Sequence, residues 1–323
     1  MKTMILFCSL AVVFVLFAAV IRPAEAAGRV PVIFDTDIGD DIDDTWALIM
    51  LLKSPQFDVK LVTTTCYGSH ARARLLAKIL TVAGRTDIPI GRGPGDGGKT
   101  RQDQWTEGFD LDQYKGKVYS DGPQAIIDMI HGSSQPITVI AVGPLQTVSK
   151  ALETDPTIAG KAHFIGMHGS VYKGYGGKSD VSAEYNVRRD APAARRVLSA
   201  PWKSTIITPL DTCGIVHLDG DRFQALKQSD DALVKALLEN YRIWAKKKSV
   251  GELTRSSTLF DTVAIYLGYP GPKELAKFET LSIRVTDDGY TRVDPAGKKM
   301  SVATAWNDLD GYRDLLVKVL TNR

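Results

Sequence analysis

Six carboxylates fall within ten residues, Asp35 to Asp44, directly after a short apolar run from Val30 to Phe34. That density constrains the fold. Six acids repel one another unless a cation binds among them or some stay protonated. The segment must therefore be a loop, carried by apolar elements on either side. The run before it has the length and composition of a buried strand. After it, Trp46 to Leu52 resumes with helical periodicity, giving strand, acidic loop, helix. Several carboxylate oxygens in one place suit a hard cation such as Ca²⁺ or Mg²⁺. Gly39 would let the backbone turn tightly enough for acids on both sides to converge.

Three further readings of these acids have to be weighed. Acids before an apolar helix can cap it and complement its dipole. This suits one acid, Asp43, but not Asp35 and Asp37 at the strand end. An EF-hand loop is excluded, because no Glu stands at its twelfth position and a strand precedes it. An aspartyl phosphotransferase also places Asp-x-Asp after its first strand, and this alternative stays open.

The rest of the chain repeats the strand-helix alternation. Strands are expected at Val59 to Thr65, Ile88 to Ile90, Ile137 to Val142, Phe164 to Met167 and Thr205 to Thr208. Helices are expected at Ala71 to Ala83, Gln124 to Ile130, after Gly143-Pro144, at Ala191 to Leu198, Asp231 to Lys246 and Thr262 to Leu267. Residues 92–110, rich in Gly and polar side chains, read as a surface loop. The tail gives strands at Leu281 to Val285 and Tyr290 to Val293, then a helix from Tyr312 to Leu320. Apolar strands alternating with helices imply an α/β fold with a mostly parallel central sheet flanked by helices. No linker-like tract divides it, so a single domain is expected. In such sheets ligands bind beyond the carboxyl ends of the strands, where Asp35 begins.

The N-terminus points to export. Lys2 precedes a nearly unbroken apolar run from Met4 to Val20, and Ala24-Glu25-Ala26 forms a small-x-small cleavage signal. Residues 1–26 therefore read as a signal peptide, with 27–323 the mature domain in the periplasm or outside the cell. An uncleaved anchor is the alternative, and membrane association is expected only in that case. The net charge of +3 is too weak to argue for nucleic acid or anionic membrane as partner. The basic run Lys246 to Lys248 fits a helix C-terminus. Past the signal the cysteines are Cys66 and Cys213, which permit at most one disulfide. So few in so large a chain imply a core-stabilised enzyme.

Asp35-Thr36-Asp37-Ile38-Gly39, the acids after it and then Ala47-Leu48 resemble the signature of the nucleoside hydrolase family of inosine-uridine preferring type. Further blocks follow in the family's order. Ala141-Val142-Gly143-Pro144-Leu145 resembles its Gly-Pro-Leu-Thr-Asn segment, and Met167-His168-Gly169 its Met-Gly-Gly. Ala183-Glu184-Tyr185-Asn186 with Asp190 and Ala193-Ala194, then Pro209-Leu210-Asp211 and Phe260-Asp261, match later blocks.

The resemblance implies calcium-dependent hydrolysis of the N-glycosidic bond of ribonucleosides, in purine and pyrimidine salvage, by a homo-oligomer. It implies that Asp37 is the base activating water. The ion would be held by Asp37, Asp44, Asp261 and the main-chain carbonyl of Val142. The substrate would be bound by Met167, Glu184 and Asn186, with Asp41 or Asp43 at the 2′-hydroxyl. Taken alone, Glu184 could instead pair with Arg188 or Arg189.

Departures from the pattern matter. Asp41-Ile42-Asp43-Asp44 makes the acidic loop two residues longer than its short form. Phe260 stands where purine-and-pyrimidine members carry a His that protonates the leaving base. None of the five His is near Asp261 in sequence, and His70 and His168 read as ordinary polar residues. The family's Asn on the 5′ side would fall near Lys178-Ser179-Asp180, and Leu-Gln-Thr replaces Leu-Thr-Asn at 145–147. A departing base could stack on Trp105, Tyr172 or Tyr175. Two rivals follow: hydrolysis of another N-riboside, such as a nicotinamide or modified nucleoside, and a non-catalytic exported protein that binds nucleosides or sugars.

Overall fold

The structure, a computed structural model, describes residues 28–322. The expected signal peptide, residues 1–26, lies outside the described residues. Ten strands form one sheet in the order β4-β3-β2-β1-β5-β6-β7-β10-β8-β9. They are β1 Val30–Thr36, β2 Phe57–Thr64, β3 Ile90–Gly91, β4 Val118–Tyr119, β5 Ile137–Ala141, β6 Ala162–Met167, β7 Thr205–Thr208, β8 Ala276–Val285, β9 Thr291–Val293 and β10 Lys298–Trp306. Pairing is parallel from β4 across to β10; β8 and β9 close the far edge antiparallel.

Side chains of β1 alternate between two cores, as the pleat requires. Val32 and Phe34 face one apolar cluster and Ile33 the other. Helices α1 Asp43–Leu52 and α2 Ser69–Val82 cover the first face. The short helix α3 is Asp103–Thr106. Helices α4 Gly122–Gly132 and α5 Gln146–Thr154 cover the second face, joined there by α7 Ala191–Ser199, which follows the one-turn α6 Tyr185–Arg189. Then come α8 Leu210–Cys213, α9 Gly220–Lys227, α10 Ala232–Trp244, α11 Thr262–Leu267 and α12 Leu309–Thr321.

The chain runs outward from β1 through β2, β3 and β4, then returns to place β5 on the other side of β1. A crevice opens where the order reverses, at the carboxyl ends of β1 and β5, and this is where α/β sheets bind ligands. The acidic loop leaves β1 at that point.

The sequence expectations need several corrections. β4 and β10 were not foreseen: β4 has only two residues, and β10 opens on Lys298-Lys299 with apolar positions that do not alternate strictly. β3 begins two residues later than expected, and β8 five residues earlier. The loop 92–110 is not all surface, since Gln102 and Thr106 are buried around α3. Cys66 and Cys213 are both buried and free, so no disulfide joins them. Lys246 lies just past α10, as the dipole argument requires. No helix among the described residues is long and apolar enough to cross a membrane.

Candidate active site

Asp35 is the anchor beneath the site. It sits inside β1, paired in register with Thr63 of β2 and Ala141 of β5. Its carbonyl accepts the Val142 N–H at 2.9 Å, and its carboxyl accepts the Thr63 hydroxyl at 2.6 Å. Burial pushes that carboxyl up to about 8, so it is protonated below that pH and supports the strand end.

Asp37, next along the chain, lines the cleft and is buried. A Cβ on Gly143 would lie 2.6 Å from its Oδ1, so the Gly143-Pro144 turn must be glycine for the carboxyl to fit. Burial pushes Asp37 up to about 6, against the opposing field of the buried Arg72 guanidinium. A carboxyl near that value can take a proton at neutral pH. Arg72 itself is fixed by donating to the carbonyls of Ile38 (2.9 Å) and Tyr67 (2.7 Å).

Gly39, at φ +106°, turns the loop inward. Asp43 and Asp44 then open α1, whose N-terminal neighbour Ile42 supplies no side-chain cap. Asp43 therefore supplies no capping hydrogen bond, although it lies in the first turn, where an acid complements the helix dipole. Asp43 and Asp44 instead meet Asp261, which directly precedes α11; α11 packs against α1. One carboxylate oxygen from each of the three lies within 4.8 Å of the others, and all three residues are buried. Thr36 donates to Asp44. Burial, then repulsion from the surrounding acids, Asp37 and Asp41 included, raises all three well above the ordinary carboxylate range. Three buried acids facing one another, with oxygen donors alone, are the arrangement a hard divalent cation would relieve. Asp37 and Val142 line the same cleft beside this triad. Of the two acids expected at the 2′-hydroxyl, Asp43 is buried within the triad and Asp41 is exposed at the rim.

The opposite wall comes from β6 and α6. Glu184 makes no ion pair with Arg188 or Arg189, which point outward and are exposed. It caps α6, accepting from the N–H groups of Asn186 (2.7 Å), Val187 (3.2 Å) and Gly169 (3.1 Å). Burial still pushes it up to about 7. Asn186 donates its amide to the carbonyls of Val142 (2.8 Å) and Met167 (3.1 Å), tying the ends of β5 and β6 together. Its Oδ1 is left for a ligand. The Val142 carbonyl keeps a second lone pair.

Tyr175, Tyr185, Phe260, Asp40 and Arg101 form the mouth. Tyr175 meets Phe260 edge-on at 6.1 Å and accepts the Tyr185 N–H at 2.9 Å. Asp40 accepts from the phenols of Tyr185 (3.1 Å) and Tyr67 (3.3 Å). Of the three aromatics expected to stack on a base, Tyr175 alone lines the cleft. Trp105 lies under Lys78, and Tyr172 is exposed and bonds Glu279. Lys178, Ser179 and Asp180 also lie outside the lining. His168 is buried behind the cleft and donates from Nε2 to the Gly143 carbonyl at 3.0 Å, while His70 is exposed on another face. Neither reaches the mouth. Sequence reasoning missed Arg101 and Tyr185. Tyr185 stood inside a motif already noted, whereas Arg101 carried no local signal.

Similarity to known proteins spans most of the chain. The family model described as inosine-uridine preferring nucleoside hydrolase matches residues 32–313. A probable uridine nucleosidase 2 from Oryza sativa subsp. japonica is 27% identical over 305 residues, covering 88% of this chain and 87% of that protein. The pyrimidine-specific ribonucleoside hydrolase RihA from Enterobacter sp. (strain 638) is 26% identical over 242 residues, covering 68% and 74%. A solved plant nucleoside hydrolase superposes with a TM-score of 0.74 at 22% identity, over 92% of this chain and 100% of that one.

Proposed function

Because the chain belongs to the inosine-uridine preferring nucleoside hydrolase family and is a nucleoside N-ribohydrolase, we propose that it hydrolyses pyrimidine ribonucleosides with calcium, Asp37 activating the water. The observation that carries this is the convergence of Asp43, Asp44 and Asp261 in the cleft that also holds Asp37 and Glu184. Pyrimidines are named first because the two curated relatives are described as acting on uridine and on pyrimidine ribonucleosides.

Asp44, Asp261, Asp43, Asp37 and the Val142 carbonyl would hold the ion, which when bound would orient the ribose hydroxyls and make a bound water more acidic. Asp37 takes the proton of the attacking water, and burial near neutral pH keeps it a usable base. Cleavage passes through an oxocarbenium-like state. Asp37, Asp43 and Glu184 surround the sugar with the negative charge that such a state requires. Glu184 and the free Oδ1 of Asn186 accept from ribose hydroxyls, and Met167 packs beneath the ring. Asp43, not the exposed Asp41, meets the 2′-hydroxyl.

Product analysis with uridine, cytidine, inosine and nicotinamide riboside tests this. Ribose and uracil should appear fastest, from uridine. Cleavage of nicotinamide riboside alone would move the enzyme to the other N-riboside class. We also propose that residues 1–26 direct export; N-terminal sequencing of secreted protein should begin at Ala27, and a chain retained in the cytoplasm would contradict it.

A further inference from the structure

Among the described residues, the cleft lining holds no His or Lys, and Phe260 occupies the base end. A nitrogen leaving group must still accept the electron pair of the broken bond. Tyr175 and Tyr185 are poor proton donors. Burial pushes the Tyr175 phenol up to about 12, and the Tyr185 phenol already donates to Asp40.

Arg101 is the cation in this lining. Two contacts fix it there. Its N–H donates to the Gly39 carbonyl at 2.7 Å, pinning its backbone to the turn of the acidic loop. Its guanidinium lies over the Trp244 ring, 4.8 Å from the centroid, rather than on a carboxylate. Trp244 in turn donates from Nε1 to the Asp40 carbonyl at 3.1 Å. A guanidinium stacked on an indole keeps its edge donors free in the ring plane. Those donors are held beside the acids without being consumed by them.

We infer that Arg101 stabilises the departing base as its anion, taking the place of an acid that would protonate it. This rests on the hydrolase mechanism proposed above. The C1′–N bond breaks with both electrons going to the base nitrogen, while the water oxygen bonds C1′ and Asp37 takes its proton. In a pyrimidine the charge spreads onto the ring carbonyl oxygens, where the guanidinium fork donates. The base takes its proton from solvent after departure, and Asp37 returns its own.

A residue that carries leaving-group charge matters most for poor leaving groups. The test compares Arg101→Gln with wild type on uridine and on 4-nitrophenyl riboside, whose phenolate departs unaided. The full-length calcium-loaded enzyme is used, and thermal melting checks that the fold is kept. Arg101→Gln should lose at least about 100-fold in kcat/KM on uridine and less than about threefold on the nitrophenyl riboside. Arg101→Lys, keeping the charge, should recover part of the uridine rate. Equal losses on both substrates would make Arg101 a shaping residue and overturn the inference, as would no loss on either. Wild-type protein that releases ribose from neither riboside would overturn the hydrolase mechanism as well, which separates the two failures.

Discussion

The two ends of the cleft are built differently. The sugar end stands on the sheet. Asp37, Val142 and Met167 leave the carboxyl ends of β1, β5 and β6, and Glu184 and Asn186 are buried and tied to backbone groups. The mouth stands on loops and helix ends, with Arg101 and Tyr175 exposed. The strand end at Asp37 and the packed starts of α1 and α11 hold a buried set of acids against their own repulsion, because sheet pairing and the contact of α1 with α11 fix their positions. The exposed segments at the mouth lack that support, so the mouth is left to side chains that work partly in solvent. The sugar end should therefore serve any riboside alike, while the mouth should discriminate among leaving groups.

The largest expected effect breaks the sugar end. Asp37→Ala should lower kcat by roughly a thousandfold on every riboside, good leaving group or poor. Retained turnover would remove Asp37 as the base. Next, Asp261→Ala should weaken Ca²⁺ binding by about 100-fold in calorimetry; unchanged affinity would take it out of the ion site. Gly143→Ala should follow, since its Cβ would press on Asp37. Overpacking there costs about 1–3 kcal/mol, and we expect kcat to fall about tenfold and Ca²⁺ affinity to weaken with it, the fold being kept. A variant as active as wild type would show that Asp37 tolerates displacement.

The smallest effect is on stability. Glu184 and Asp35 are held up to about 7 and about 8, above their ordinary values. The folded chelated protein thus binds more protons than the unfolded chain. The contribution of these groups is full below about pH 4 and is lost as pH rises through 7 and 8. Chelated protein should melt at a higher temperature at pH 5 than at pH 8, and Ca²⁺ should flatten the difference. The reverse trend in chelated protein would contradict the buried-acid account.

How much was visible beforehand differs between the same two ends. Apart from the two-residue β4, the strands through β7 could be read from apolar runs, and β7 and α11 have the limits that periodicity set. Asp37 stood out as an acid at a strand end, a local pattern, whereas Glu184, Asn186 and Asp261 came only as what the family resemblance implied; the structure brings all four to the lining of one cleft. The meeting of Asp43 with Asp261 was not legible: it depends on α1 packing against α11, and capping is the simpler local role for an acid at a helix start. Arg101 was hidden for a similar reason. Its loop has no period, and its place is set by a hydrogen bond to Gly39 and a stack on Trp244, both distant in sequence. β10 escaped because a strand between two neighbours can carry polar residues at its ends.

The central claim is that the buried acids work through a bound ion. Ribose release from uridine by chelated protein, with Ca²⁺ then added back, tests it most directly. The account predicts near-complete loss of activity on chelation and full recovery with Ca²⁺. Undiminished release by the metal-free protein would contradict it.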